Sequence, residues 1–435
     1  MHCEVASVPL HKKQNNSVDN ILSSRDRRRG RGVAWGTSSG GEAVRRGRQP
    51  YTRTEAPVST KPYGAEIDSI NSTSLLIEEN APKINNVKYV ASYNWLDAKS
   101  PVILVPGSPP AWTPPLTDEK LPPDSPTLKV YRDINAARHA AYPMEPAIRS
   151  LLALEPEFDI KALDLVACGS TAGNLLRFAS STPKPFRFDV DLVEDTVFFI
   201  RKENTPTETI DDLKGYGHTF PERYTTWDKN VAGSCSHQRI IEYDFGGLRF
   251  LIRSETDAYM KQSGSSTSSE NAKPAVEPSL DEMLSTIGFG TVADGPSDGS
   301  KLSLRPQGEK IPQSQIFDIK TRRKLSTFDI EELIPRLWVN QTPNFLIAYH
   351  EYGEFDKPEV SDVKQQVLDW EKRNTGLLSR YHAIVKRIID IVRDSDDRQV
   401  EVSWDGQGPL RITKQIEPGN RVLPSELLHR WADDA

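Results

Sequence analysis

Leu248-Arg249-Phe250-Leu251-Ile252-Arg253-Ser254-Glu255-Thr256-Asp257 and, after a long polar interval, Ile316-Phe317-Asp318-Ile319-Lys320 are the stretches on which the fold turns. Each reads as a strand. Side chains in a strand alternate between faces, so Glu255 and Asp257 fall on one face and Phe250 and Ile252 on the other. By the same alternation Asp318 and Lys320 fall together, with Phe317 and Ile319 behind them. Paired, the two strands would gather three carboxylates and one ammonium on a single surface. Oxygen-only ligands suit a hard cation, Mg²⁺ or Mn²⁺, held by carboxylates, waters and substrate phosphate oxygens. Such an ion polarises a phosphoryl oxygen and lowers the pKa of a bound water, and a neighbouring lysine stabilises developing charge. The chemistry expected is phosphodiester hydrolysis. The plainer alternative is that acid-x-acid and acid-x-Lys triplets also decorate many solvated strands.

Outward from these strands the chain thins into polar sequence. Its 435 residues include 32 prolines, only 37% are hydrophobic, and mean hydropathy is −0.55. That composition predicts one folded domain with substantial disorder around it. A net charge of −6 argues against a protein that coats nucleic acid over its whole surface. Three widely spaced cysteines, Cys3, Cys168 and Cys235, make neither a disulfide framework nor a CxxC zinc site, so a reducing compartment, nucleus or cytoplasm, is expected. No apolar run approaches the length of a membrane span, and no membrane partner is expected.

Residues 1–80 read as a disordered basic arm. Up to Arg53 it carries eleven Lys or Arg against four acids, a composition compatible with a nuclear-localisation signal or RNA contact and equally with a soluble tail. Residues 81–130 are expected to wrap the surface, since eight prolines between Pro106 and Pro126 oppose regular structure. The main domain is expected over 131–395, with a disordered insertion at 261–312, and 396–435 form a C-terminal tail. Asp164 to Phe178 predicts a turn feeding a helix, and Phe186 to Val190 with Thr196 to Arg201 a hairpin. Ser361 or Asp362 begins a long helix to about Arg393, with Gly376 marking a break.

In order along the chain, Gly217-His218-Thr219-Phe220-Pro221-Glu222, Glu255-Thr256-Asp257, Asp318-Ile319-Lys320-Thr321, Arg336-Leu337-Trp338 to Gln341, and Phe345 to Tyr349 resemble the motifs of the DXO-type decapping exonucleases. These are a branch of the PD-(D/E)xK nuclease superfamily, and the resemblance spans about Asp164 to Tyr349. It implies an α+β fold with a PD-(D/E)xK nuclease-like central mixed sheet flanked by helices. It also implies Mg²⁺ or Mn²⁺ ligated by Asp257 and Asp318, with Glu222 and Glu255 supporting them directly or through water. Lys320 would contact the scissile phosphate or water, and Gln341 would help place the substrate backbone. Arg253, Arg322 and Arg336 are expected at the substrate. The sequence departs from the motifs in four places: Pro221 is inserted before Glu222, Asp318 stands for the usual Glu, the arginine expected near Cys168 and Gly169 is missing, and Asn340 rather than Gln341 falls at the motif spacing.

The whole chain also resembles a group of filamentous-fungal proteins, some of which carry the label geranylgeranyl pyrophosphate synthetase. Its residues give that label no support. Prenyl synthases are all-helical and need paired DDxxD-like motifs, whereas Asp211-Asp212 and Asp396-Asp397 lack a second acid at that spacing. The functions that fit are a metal-dependent hydrolase acting on RNA 5′ ends, or a catalytically silent nuclease-like protein that binds RNA or an RNA-processing partner. A third is an α+β domain of another use.

Overall fold

The computed structural model describes residues 59–75, 81–210, 213–261, 301–326, 328–416 and 422–432. The expected arm up to residue 58 and most of the expected insertion lie outside the described residues.

From the N-terminal side come β1 (Glu66–Ile70), β2 (Ile84–Leu96), β3 (Val102–Gly107) and β4 (Ala111–Trp112), then α1 (Ile134–Arg138) and α2 (Glu145–Leu154). β5 (Leu165–Cys168) feeds α3 (Gly169–Ala179), the hairpin β6 (Phe186–Val193) and β7 (Thr196–Arg201) follows, and α4 (Thr219–Tyr224) runs into β8 (Thr225–Thr226). Next are β9 (Ser234–Phe245), β10 (Leu248–Glu255), β11 (Ala258–Tyr259), β12 (Ser303–Gly308) and β13 (Ile316–Arg323). After α5 (Ile334–Asn340) come β14 (Asn344–Glu351), β15 (Glu354–Phe355), β16 (Val360–Asp362), α6 (Lys364–Arg373) and α7 (Thr375–Asp394). β17 (Gln399–Trp404), β18 (Leu410–Lys414) and α8 (Ser425–Leu428) close the described chain.

Eleven strands form one mixed sheet in the order β1-β18-β17-β6-β7-β5-β10-β9-β2-β3-β12. Its centre is apolar on every residue because both faces are covered. Leu165, Ala167, Val197, Phe199, Phe250 and Ile252 enter a core shared with α3, α5, α6 and α7. Their neighbours Val166, Phe198 and Leu251 enter a second core with α2 on the opposite face. Alternation along each strand thus feeds two cores at once. The remaining seven strands form a smaller sheet, β15-β14-β13-β11-β4-β8, with β16 also on β14. Phe317, Leu346 and Ala348 pack there against Phe220 and Tyr224 of α4. The α+β class with a central mixed sheet flanked by helices is the architecture observed.

Several segments read as peripheral are built into the sheets. Residues 81–130, expected to wrap the surface, supply β2 and β3, and β2 lies between β9 and β3 inside the large sheet. β3 passes through Pro106, whose missing N–H leaves the strand's pairing with β2 at Asn94 and Trp95 untouched. Part of the expected arm forms β1, the last residues of the expected insertion form β12 parallel to β3, and the tail supplies β17 and β18. The helix expected to break at Gly376 is divided at Asn374 instead. The Asn374 amide nitrogen donates to the Trp370 carbonyl at 2.8 Å and so closes α6. No described helix is long and apolar enough to cross a membrane.

Candidate functional site at the crossing between the sheets

β10 ends in the large sheet at Glu255, and β11 begins in the small sheet at Ala258. The chain therefore changes sheets across Thr256 and Asp257. The Thr256 N–H still donates to the His237 carbonyl at 3.1 Å, holding one side of the crossing to β9. Asp257 holds the other: its Oδ2 accepts the Ile319 N–H at 2.7 Å. The two motif strands, which would gather their acids if paired, do not pair directly. β13 pairs antiparallel with β11 and parallel with β14, and the Asp257 bond to Ile319 brings Asp257 beside the Asp318 strand at the junction of the sheets.

Alternation within β13 holds as expected. Phe317 and Ile319 turn to the aromatic core of the small sheet. Asp318 and Lys320 share the other face, in register with Phe345 and Ile347 of β14, which pack with the first core of the large sheet. Asp318 is 4% exposed, and its Oδ2 accepts no hydrogen bond among the described residues. An Arg336 guanidinium nitrogen lies 3.0 Å from that oxygen, a charge contact without hydrogen-bond alignment.

The electrostatics join Glu255, Asp257, Asp318 and Arg336 into one set. Burial of its carboxyl, ahead of repulsion from Asp257, pushes Glu255 up to about 7 although the residue as a whole is exposed, while the Ser236 hydroxyl, 3.0 Å away, pulls the other way. Burial pushes Asp318 up to about 6; Arg336 opposes this and Asp257 adds to it. Arg336 is in turn held above the ordinary arginine range, first by Asp318, then by Asp257 and Glu255. Arg336 thus contacts Asp318 directly and feels the charge of Asp257 and Glu255 without a direct contact among the described residues.

The other candidates are placed differently. Lys320 follows Asp318 on the same strand face, half-buried. Arg322, next again, lies with its guanidinium 5.5 Å from the Phe328 ring centre. Glu222 is exposed on α4, and no described ion pair or side-chain hydrogen bond ties it to the acidic set. Gln341 takes a left-handed backbone conformation at the end of α5, and its amide nitrogen donates to the Trp338 carbonyl at 2.5 Å. That amide closes its own helix. Asn340, at the motif spacing, is buried against Gly169 at the start of α3, with Oδ1 unpaired.

Arg253 corrects the expectation that it meets substrate. It is 4% exposed, Nη1 donates to the Pro143 carbonyl at 2.7 Å, and Nη2 lies 3.9 Å from Asp133. Burial opposes ionisation of Asp133, but Arg253 and Arg201 outweigh it and hold the carboxyl below its usual range. Arg253 stands in register with Cys168, so a buried arginine does reach the place where the motif arginine is absent, from the adjacent strand.

Ser236 was missed in the sequence, yet a signal existed. Gly246 and Gly247, both with positive φ, form the two-residue turn between β9 and β10. Such a turn fixes the hairpin register, which sets Gln238 opposite Glu255 and brings Ser236 within reach. Asp133 carried no local signal, whereas Asn340 was marked by the motif spacing.

A family model described as Domain of unknown function (DUF8563) matches residues 79–417. No curated protein matches the chain. Among solved structures, Rai1 of S. pombe in complex with 3′-FADP is similar at a TM-score of 0.50 and 9% identity, over 80% of this chain and 99% of that one. Rai1 of Scheffersomyces stipitis in complex with (3′-NADP)+ and calcium ion gives 0.50 and 13%, over 85% and 99%. Rai1 of Candida albicans in complex with pU5-Mn2+ gives 0.51 and 11%, over 84% and 98%. At such identity the likeness establishes the fold, the DXO-type nuclease-like fold implied by the motifs.

Proposed function

Because the chain belongs to the family described as Domain of unknown function (DUF8563), a description that names no chemistry, we propose its function from the site: a divalent-metal-dependent hydrolase of phosphodiester or pyrophosphate bonds at RNA 5′ ends. The observation that carries this reading is the gathering of Glu255, Asp257, Asp318 and Arg336 where the chain crosses between sheets. The ligands of the similar Rai1 structures, pU5-Mn2+ in one and (3′-NADP)+ with a calcium ion in another, support the choice of metal and substrate class.

In residue type the three acids suit a hard divalent cation, although among the described residues the three are not placed together to hold one. All three acids offer carboxylate oxygens, and the buried Asp318 Oδ2 has no hydrogen bond to satisfy it. Asp257 and Asp318 would hold Mg²⁺ or Mn²⁺, with Glu255 beside them, and the ion would supply Lewis-acid polarisation of a phosphoryl oxygen. Glu255, pushed up to about 7, takes or gives a proton near neutrality as a general base or acid requires. Lys320 and Arg336 bring positive charge to the phosphoryl oxygens on which negative charge develops. Arg322 extends that charge along β13 and is suited to a phosphate of the RNA backbone.

A second reading, a catalytically silent protein that binds RNA or an RNA-processing partner, is favoured by one observation. Among the described residues no group of three or more His, Cys, Asp or Glu side chains is placed to hold a metal ion. Hydrolysis of 5′-triphosphate and capped RNA with Mn²⁺ or Mg²⁺, wild type beside Asp318→Ala, separates the two. Metal-dependent cleavage abolished in Asp318→Ala supports the hydrolase. Absence of cleavage by folded wild-type protein with either metal and either RNA end overturns it in favour of the binding protein.

A further inference from the structure

Four arginines are buried among the described residues, and three of them have an acid for a partner. Arg149 bonds Glu145, Arg187 reaches Glu401 at 2.5 Å, and Arg253 lies 3.9 Å from Asp133. Arg239 is the exception. It is 1% exposed, the most buried of the four, and no carboxylate stands within ion-pair distance of it among the described residues. Its Nε donates to Gln313 Oε1 and its Nη2 to the Ile311 carbonyl at 2.7 Å, and the guanidinium carbon stands 4.1 Å from the Tyr89 ring centre. These partners are neutral, and Nη1 has no acceptor at all. Burial without a counter-charge pulls the guanidinium down to about 10. A cation held in this way is costly, and an anion beside it removes the cost.

Alternation along β9 puts His237 on the same face as Arg239, continuing the face that Ile241 and Tyr243 turn to the first core. Asn94 Nδ2 donates to the Ser108 carbonyl at 2.8 Å and to Ser234 Oγ at 2.9 Å, so Asn94 Oδ1 is left to accept from His237 Nδ1, 2.6 Å away. Burial, then the Arg239 charge, keeps the ring neutral. His237 Nε2 is therefore a bare acceptor, and it has no donor among the described residues. One strand face thus lacks an acceptor at Arg239, a donor at His237 and a negative charge. Water would supply the two hydrogen bonds but no charge, and a carboxylate the charge but no proton. A singly protonated phosphate group supplies charge, acceptor oxygens and one P–OH, and arginine is the side chain best matched to it.

We propose that Arg239 and His237 form a binding site for a phosphate group, entered past Gln313. Gln313 is half-buried, and its amide nitrogen donates to the Gln341 carbonyl at 2.8 Å, so the side chain bonded to the guanidinium itself reaches solvent. Ser254, opposite Arg239 in the β9–β10 ladder, is half-buried as well. Glu255, next along β10, falls on the other face, so the site is independent of the acids and of any cation. Free phosphate and the phosphate of a nucleotide offer Arg239 the same chemistry.

The test is calorimetric titration of the full chain with inorganic phosphate and, separately, with uridine 5′-monophosphate, at constant ionic strength in chloride. Wild type, Arg239→Met and Gln313→Glu are compared. Wild type is expected to bind phosphate saturably, and Arg239→Met to bind it roughly tenfold or more weakly, the loss of one hydrogen bond to a charged group. Gln313→Glu sets a carboxylate where Gln313 Oε1 now accepts from Arg239. It is expected to melt higher than wild type in phosphate-free buffer and to lose the response to phosphate, because the anion is then internal. Tighter binding of the nucleotide than of inorganic phosphate identifies a nucleotide as the source, and equal or weaker binding identifies the free ion. Absence of saturable binding of either by wild type overturns the site. Undiminished binding by Gln313→Glu, or by Arg239→Met with cooperative unfolding, places the anion elsewhere and overturns it equally.

Discussion

Ser236 donates its hydroxyl hydrogen to the Glu255 carboxylate across 3.0 Å, from the strand that pairs with β10. Gln238 in turn donates to the Ser236 oxygen at 2.7 Å, so the carboxylate at the end of β10 is tied to a polar row on β9. This bond favours the charged form of Glu255, but burial and Asp257 outweigh it.

The outcome is a pH dependence with a definite sign. Glu255 titrates near 7 in the folded protein and around 4.3 in an unfolded chain. Between those values the folded state holds a proton that the unfolded state has released, so stability falls as pH rises through that window. Glu255→Gln removes this fall. Urea denaturation of metal-free protein at about pH 5 and about pH 8 is expected to show Glu255→Gln gaining on wild type at the higher pH. A constant difference between the two would contradict the raised pKa.

Arg253→Ala is expected to damage the fold before it affects any substrate. Removing the buried guanidinium leaves Asp133 charged in the interior and the Pro143 carbonyl without its donor. Breaking a buried pair in this way costs roughly 3–5 kcal/mol. Equilibrium denaturation checks it, and a variant of wild-type stability with weakened RNA binding would return Arg253 to the substrate-contact role.

Gly169→Ala tests the close approach between α3 and α5. A Cβ at Gly169 would fall 1.9 Å from Asn340 Oδ1, a clash that a buried carboxamide cannot readily avoid. The expected loss is about 1–3 kcal/mol. Asn340→Ala in the same chain should recover part of it, seen as non-additivity in a double-mutant cycle. Strict additivity would mean that the two residues are not in contact.

Trp431→Ala tests whether the C-terminal segment belongs to the core. Trp431 is 3% exposed, its indole donates to Thr196 Oγ1 at 2.9 Å, and its ring meets Phe198 edge-on. Loss of roughly 3–5 kcal/mol is expected by thermal or urea unfolding. A change below about 1 kcal/mol would be the value for an exposed side chain.

What could be read in advance follows from range. Alternation marked Phe317 and Ile319 as one face of β13 and Asp318 and Lys320 as the other, because the pleat depends only on neighbouring residues. Strand patterns located the β6–β7 hairpin and β10, and motif order led to the nuclease-like fold, whereas β5 lies where the local pattern predicts a turn. Local pattern also misled: the apolar runs at Tyr89 to Asp97 and Val102 to Val105 read as edge strands or docking segments, and polar flanks concealed β12, since a strand's place in a sheet depends on partners far along the chain.

The sequence by itself determined the two motif strands, the residue types of the acidic set and the class of fold. Only the tertiary structure decided that β10 and β13 do not pair, that the chain changes sheets between Glu255 and Ala258, that Arg253 is interior, and that Arg336 stands among the acids. The reason is physical. Periodicity assigns a side chain to a face within one strand, but which surface that face meets is set by register and packing between distant segments, and the ionisation of a carboxylate follows from that company.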